Sequence, residues 1–398
     1  MDRYQELEET FGSSAFQKFP LTIVRGKGAS VWDAEGKEYV DFMAGYGVAI
    51  VGHSNPAVVE AVKKQAERLI TCHGSVYNDA RSEFLERLAG AAPRGLDRAL
   101  LTNSGTETVE AAIKLARRHT SRKRFVSMKG GFHGKTFGAL SATWNKKYRE
   151  PFAPLLDNFD FAEYGDASSL ASLVNKETAA VIAEPIQGET GIIVPPADYL
   201  RQVREICDRE GALLILDEIQ TGLGRTGKMW ASQHWNVVPD IMAVSKGLGG
   251  GVPIGAALST SEIMGSLKRG EHTSTFAGNP LACAAASATL EFIRSDDLPA
   301  KAESKGRKMK EGLTRVASGS KLSREVRGMG LMLALETRVD LHQPLLDAIK
   351  RGAIFAYSGR ETFRFLPPLV IEDSQVEMGL EVLAGVLGAE EVRRLGPR

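Results

Sequence analysis

Three cysteines in 398 residues, Cys72, Cys207 and Cys283, are too few and too widely spaced for a disulfide framework or a paired-spacing zinc site. That scarcity points to a reducing compartment. No apolar run reaches the roughly 18 residues that a bilayer-spanning helix needs, so no membrane partner is expected. The opening Met1-Asp2-Arg3-Tyr4-Gln5-Glu6 is polar and acidic where a secretory leader has a basic start and an apolar stretch. A cytoplasmic location is the expectation. An excess of charge of either sign is also missing, since 50 Lys and Arg balance 49 Asp and Glu for a formal net charge of +1. Without a long-range basic field, nucleic acid is not expected as a partner.

What is present is ordinary for a folded chain, 43% hydrophobic and 25% charged. At roughly 100–200 residues per domain, the length implies two or three units with a sizeable core. Short apolar runs alternate with amphipathic helical patterns, the rhythm of a mostly parallel α/β sheet with helices on both faces. Arg98 to Asn103 reads as a strand. Val109, Ala112, Ile113 and Ala116 then recur at helical spacing, with Ser104 and Glu107 matching a capping box. The unit returns as the strand Ala179 to Ala183, a helix around Leu200 to Arg209 and a strand from Ala212 to Leu216 that ends at Asp217. A further strand, Asp240 to Val244, stops at Ser245-Lys246. Beyond about Leu290 a charged helical segment and short alternating strands predict a smaller α+β domain. Arg25 to Phe42 reads as a hairpin about Ala34-Glu35-Gly36-Lys37 that joins it. The expected division is therefore 1–44, a segment joining the small domain; 45–290, a large domain; and 291–398, the small domain.

Two nucleotide-binding patterns fail on inspection. Gly222-Leu223-Gly224-Arg225-Thr226-Gly227 fits G-x-G-x-x-G, but Asp217-Glu218-Ile219-Gln220 intervenes after the strand and sets two carboxylates where a pyrophosphate would lie. The plain reading is a flexible glycine loop. Gly130-Gly131-Phe132-His133-Gly134-Lys135-Thr136 resembles a P-loop, yet it is one residue short and crowded by Phe132.

A different set of polar residues falls at the carboxyl ends of the predicted strands, where open α/β sheets bind their ligands. Ser104-Gly105-Thr106 opens a helix whose free amides suit a phosphate. Asp217 ends one buried strand; Lys246 follows another and precedes Gly247-Leu248-Gly249-Gly250-Gly251. Each alone reads as a cap or a surface charge. Together they meet the needs of pyridoxal phosphate: a lysine for its aldehyde, an acid for its ring nitrogen and a helix terminus for its phosphate.

The sequence resembles the class III, or omega, aminotransferases of fold type I, and within them the acetylornithine aminotransferase group. The resemblance spans nearly the whole chain. Its carriers are Asn103-Ser104-Gly105-Thr106-Glu107, Phe132-His133-Gly134, Glu184-Pro185-Ile186-Gln187-Gly188-Glu189, Asp217-Glu218-Ile219-Gln220, Ser245 to Gly251, Gly278-Asn279-Pro280-Leu281 and Arg327-Gly328-Met329-Gly330-Leu331. It implies a pyridoxal 5'-phosphate enzyme in which Gly105 and Thr106 bind the phosphate, Phe132 stacks on the ring, Asp217 pairs with the ring nitrogen, Gln220 contacts the phenolic oxygen and Lys246 forms the imine. Thr275, in His272-Thr273-Ser274-Thr275-Phe276, is expected to reach the phosphate from the second subunit of a homodimer.

The resemblance also bears on substrate. Arg364 is similar to the family arginine that grips the α-carboxylate of glutamate, with 2-oxoglutarate as its product, and Glu189 to the acid on which that arginine is parked. Lys135 stands where these enzymes usually carry an arginine for the distal carboxylate; Tyr46 and Ser274 join it as expected substrate contacts. Thr190 and Ala277 are smaller departures from the family pattern. Thr143 to Phe152 and Arg364-Phe365-Leu366-Pro367-Pro368 look most similar to the lysine-biosynthetic branch of archaea and Thermus-like bacteria. The substrate there is 2-aminoadipate semialdehyde, or its ornithine-pathway counterpart, carried on a small acidic amino-group carrier protein. Lys146, Lys147 and Arg149 are candidate contacts for that surface. An acetylornithine aminotransferase acting on free substrate and a glutamate-semialdehyde aminomutase are the alternatives within the family. A nucleotide-binding protein is the alternative from another class.

Overall fold

A computed structural model describes residues 2–396. The chain opens with a helix, Arg3–Phe11, and a three-stranded meander, β1 (Ile23–Lys27), β2 (Ser30–Asp33) and β3 (Glu38–Asp41). The central sheet follows: β4 (Arg98–Thr102), β5 (Arg124–Met128), β6 (Phe159–Ala162), β7 (Thr178–Ala183), β8 (Leu213–Asp217), β9 (Ile241–Val244) and β10 (Gly255–Ser259). Its order is β4-β10-β9-β8-β7-β5-β6, and β10 runs against both of its neighbours. From β6 through β5, β7 and β8 to β9 every pairing is parallel.

Strands β7 and β9 read Thr-Ala-Ala-Val-Ile-Ala and Ile-Met-Ala-Val without a single exposed residue, as strands covered on both faces must. Parity sorts the side chains. Ile182, Ile215 and Ile241 pack with Val109, Ile113 and Ala116 of the helix Gly105–Thr120, while Val181, Leu214 and Leu216 pack with Leu200 and Val203 of the helix Tyr199–Glu210. Asp217 shares the parity of Ile215 and ends β8 buried. The expected strands and helices thus lie within a residue or two of their predicted ends. The capping box differs in one detail: Ser104 Oγ accepts from Glu107 N (3.3 Å), but the Glu107 carboxylate reaches one residue further back, to Asn103 N (2.7 Å).

Two further sheets stand apart. Strand β13 (Ala353–Ile354) pairs in parallel with β3 to complete the N-terminal meander. β11 (Ser323–Met329), β12 (Met332–Thr337), β15 (Thr362–Phe365) and β14 (Ala356–Ser358) form a four-stranded sheet in that order. Phe42, Phe355 and Phe365 meet edge-on or tilted at 5.3–6.3 Å between centroids, tying the end of β3 to β15. The segment Gly222 to Gly227 corrects the expectation of a flexible loop, for it is buried throughout. The Arg225 guanidinium donates to the carbonyls of Leu331 (3.0 Å) and Pro367 (2.5 Å), and Arg225 O accepts from Leu331 N (3.0 Å). Gly224 and Gly227 let the chain press against the helix Leu298–Ser318, where a Cβ would lie 3.3 Å from Pro299 and 3.1 Å from Glu303.

Candidate active site

Every strand of the central sheet but β10 ends on one side, and residues at or just beyond the ends of β4, β5, β7, β8 and β9 converge there. At β8, Asp217 is 4% exposed; Oδ1 accepts from Ile219 N (3.1 Å), and Oδ2 lies 2.8 Å from His133 Nδ1. A carboxylate accepts only, so Nδ1 carries the proton. His133 is itself held by its backbone amide, which donates to Thr143 Oγ1 (2.9 Å), and its Nε2 is buried without a protein partner. At the end of β7, Glu184 takes amides with both oxygens, Phe132 N at 3.0 Å and Gly188 N at 2.9 Å. Burial pushes its carboxyl up to about 7, against the pull of His133. His133 and Glu184 lie within the family motifs Phe132-His133-Gly134 and Glu184 to Glu189, with no role expected of them from sequence. The signal was available for Glu184, an acid ending an apolar strand as Asp217 does.

Lys246 follows β9 with φ of +36°, a conformation unusual for a side chain-bearing residue and one that strain at functional sites often explains. Ser245 Oγ, bonded to Ile254 O at 2.8 Å, fixes the turn before it. Gly247 is required there, because a Cβ would lie 2.8 Å from Ile50. Desolvation lowers the affinity of the Lys246 amine for its proton, opposed by the charges of Glu189, Asp217 and Glu184 and reinforced by Arg364. The result is an amine more readily neutral than a surface lysine, as a nucleophile or proton carrier must be.

After β4, the helix Gly105–Thr120 presents its first amides, which have no acceptor within the helix. Ile219 packs on Gly105, where a Cβ would lie at 3.1 Å. The Thr106 hydroxyl is 2.8 Å from Thr136 Oγ1, which in turn donates to Glu110 (2.6 Å). Asn103 Nδ2 donates to Ser274 Oγ (3.1 Å), so the segment 272–276 lies against the start of this helix, with Thr275 exposed and Phe276 65% exposed.

The opposite wall comes from the small sheet. Arg364 is fully buried on β15, flanked across the ladder by Ala334 and Ala356, whose small side chains leave room for it. Its Nη1 donates to Glu189 Oε1 (3.0 Å) and its Nη2 to Gln220 Oε1 (2.8 Å). Its guanidinium lies 5.7 Å from the Tyr46 ring centroid, in a segment where Ala44, Gly45 and Tyr46 all have positive φ. Burial raises the Glu189 carboxyl, but Arg364, Lys246 and Lys135 outweigh it and hold the group below its ordinary range. Lys135 is exposed, its Nζ 4.7 Å from the Tyr148 ring centroid, and Phe132 meets Tyr148 edge-on at 5.9 Å. Of the three candidate carrier contacts, Lys146 and Lys147 are exposed. Arg149 is turned inward, its guanidinium 4.7 Å from the Phe161 ring, with Nε buried.

A buried acid braced from behind, a desolvated lysine, an open helix terminus and an aromatic wall fit the ring, aldehyde and phosphate of pyridoxal phosphate. With the reversed β10 and the separate small sheet domain, they define a fold type I pyridoxal-phosphate-dependent aminotransferase. The chain belongs to the class III aminotransferases, the family described as aminotransferase class-III, whose model matches residues 11–387. It is 46% identical to an acetylornithine aminotransferase of Methanopyrus kandleri over 97% of this chain and 99% of that one. It is 44% identical to a [LysW]-aminoadipate semialdehyde transaminase of Deinococcus radiodurans, over 96% of this chain and 89% of that one. Among solved structures, the ornithine aminotransferase of Toxoplasma gondii superposes with a TM-score of 0.95 at 34% identity, covering 98% of this chain and 95% of that one.

Proposed function

We propose that this aminotransferase moves an amino group between glutamate/2-oxoglutarate and the terminal aldehyde of 2-aminoadipate semialdehyde, presented on an acidic amino-group carrier protein, with the glutamate-semialdehyde counterpart as a second carrier-linked substrate. The observation that carries the reading is the Arg364–Glu189 pair. A buried arginine masked by a carboxylate receives an α-carboxylate when the acid swings away, and stays neutralised when the partner presents only an ω-amine or aldehyde. The names of the Deinococcus relative and of the Sulfolobus acidocaldarius [LysW]-aminoadipate semialdehyde/glutamate semialdehyde transaminase, 42% identical, support the carrier-linked substrate. So do the exposed Lys146 and Lys147, a basic edge that an acidic carrier would meet.

In this reading the Gly105 and Thr106 amides hold the cofactor phosphate, Phe132 covers the ring, Gln220 faces its phenolic oxygen through Nε2, and Asp217 keeps a proton on the ring nitrogen. Pyridoxal phosphate, when bound, supplies an aldehyde and an electron-withdrawing ring. The Lys246 amine, desolvated and so more readily neutral, would serve as carrier of the substrate-carbon proton. His133 holds Asp217 in place through Nδ1, and Glu184 holds the backbone of Phe132 and Gly188 beside it. Lys135, Tyr46 and Ser274 line the substrate side. Thr275 serves the phosphate of the second subunit in a homodimer, and the enzyme works in the cytoplasm.

The second reading, an acetylornithine aminotransferase on free N-acetylated substrate, is favoured by the Methanopyrus relative. Steady-state assays with glutamate as donor compare the two. Carrier-linked aldehyde should show the higher kcat/KM, and equal efficiency with the free acetylated aldehyde would remove the carrier from the account.

A further inference from the structure

The loop that carries Glu189 is a pinched hairpin, with Gln187 N donating to Ile193 O (3.1 Å) and Ile193 N to Gln187 O (3.0 Å). Near its tip the chain is held on two sides. The Thr190 hydroxyl donates to Gly130 O, on the stretch that leads to Phe132 and His133. Gly191 O accepts from Arg327 Nε at 2.8 Å, across from the small sheet. Gly191 has φ of +108°, and a Cβ there would stand 2.9 Å from Arg327 Nη2. Ile192 next to it is buried at φ +60°, a left-handed conformation that β-branched residues hold only when their surroundings impose it.

Arg327 and Arg364 are in register. Ala334 of β12 pairs with Arg327 of β11 on one side and with Arg364 of β15 on the other, so both arginines leave the same face of one sheet, two strand spacings or roughly 10 Å apart. One grips the Glu189 carboxylate and the other the carbonyl two residues on. Arg327 is itself fixed, its Nη1 bonded to Glu336 (2.6 Å) and Glu325 (2.9 Å).

We propose that Arg327 is the positioning residue of the carboxylate gate. It anchors the backbone of the Glu189 loop to the same sheet that carries Arg364, so the gate opens by rotation of the Glu189 side chain while the loop stays in place. Without that anchor the loop drifts and Arg364 is left unmasked. The substrate that needs the mask, the ω-amine, then suffers, while glutamate, which competes with Glu189 for Arg364, does not.

The inference rests on the gate described above, and the test separates the two. Single-turnover half-reactions of the holoenzyme, followed by cofactor absorbance, are run with glutamate and with N-acetylornithine for the wild type, Arg327→Ala, Arg327→Lys and Glu189→Gln. Arg327→Ala should lower kcat/KM for N-acetylornithine about tenfold, the scale of one lost charge-assisted bond, and change that for glutamate less than threefold. Arg327→Lys, which keeps a cationic donor, should recover part of the loss. Should Arg327→Ala fail to fold, Glu336→Gln, which weakens one of the two carboxylate bonds that fix Arg327, should move the ratio in the same direction. Equal losses with both substrates in Arg327→Ala, or none, while Glu189→Gln shifts its own ratio, would overturn the role of Arg327 alone. An unchanged ratio in Glu189→Gln would overturn the gate and this inference with it.

Discussion

Asp217 and Glu189 are both carboxylates beside a nitrogen donor, yet they are built in opposite ways. Asp217 ends a buried strand, is 4% exposed, and has one oxygen on a backbone amide and the other on His133. Glu189 sits on a loop with its side chain 32% exposed and gives one oxygen to Arg364. The first is a charge held still. The second is a charge that can leave its partner, because water is at hand to receive it. One end of the site belongs to the central sheet and is fixed by backbone bonds; the other is shared with the small sheet through Arg364, and in the proposed gate one carboxylate there replaces another.

Breaking the fixed end should cost most. Lys246→Ala removes the proton carrier and should lower turnover by about 10^4-fold, measured with saturating glutamate and acceptor. Near-normal turnover would contradict the assignment. Asp217→Asn keeps the shape but not the charge and should cost roughly 10^2–10^3-fold in kcat, with the cofactor absorbance shifted because the ring nitrogen loses its counter-charge. Breaking the movable end should be more selective. Arg364→Lys should raise KM for glutamate about 10- to 100-fold, the range for losing a charge-assisted pair, and disturb the ω-amine partner less. Equal losses for the two would dissolve the distinction between the ends.

The smallest expected effect is a dependence of stability on pH. The Glu184 carboxyl is pushed up to about 7 by burial, from an ordinary 4.5. Between those values the folded protein keeps a proton that the unfolded chain has released. Glu184 therefore favours the fold fully below pH 4.5, and the contribution is lost as pH rises through about 7. Glu184→Gln should flatten that part of the Tm-against-pH curve by a few degrees. An unchanged slope would mean that the group is ionised throughout.

Much of the fixed end is legible in the sequence, since apolar strands that stop at Asp217 and Lys246 put both residues at strand ends without any tertiary information. The role of His133 is not. Nothing local says that the imidazole turns toward a strand 84 residues on, a contact made only when β5 and β8 close on β7. The glycine-rich segment from Gly222 reads locally as mobile, and is instead pinned by Arg225 to Leu331 and Pro367. Arg149 shows the same limit. Its spacing matches Lys146 and Lys147, but Phe161, on a strand that follows, draws it inward. Contacts across sequence distance decide all three.

The proposed chemistry depends on attachment of the cofactor at one lysine. Reduction of the holoenzyme with borohydride, followed by proteolysis and peptide mass spectrometry, should place the phosphopyridoxyl mass on the peptide containing Lys246. The label on another lysine, or on none, would contradict it.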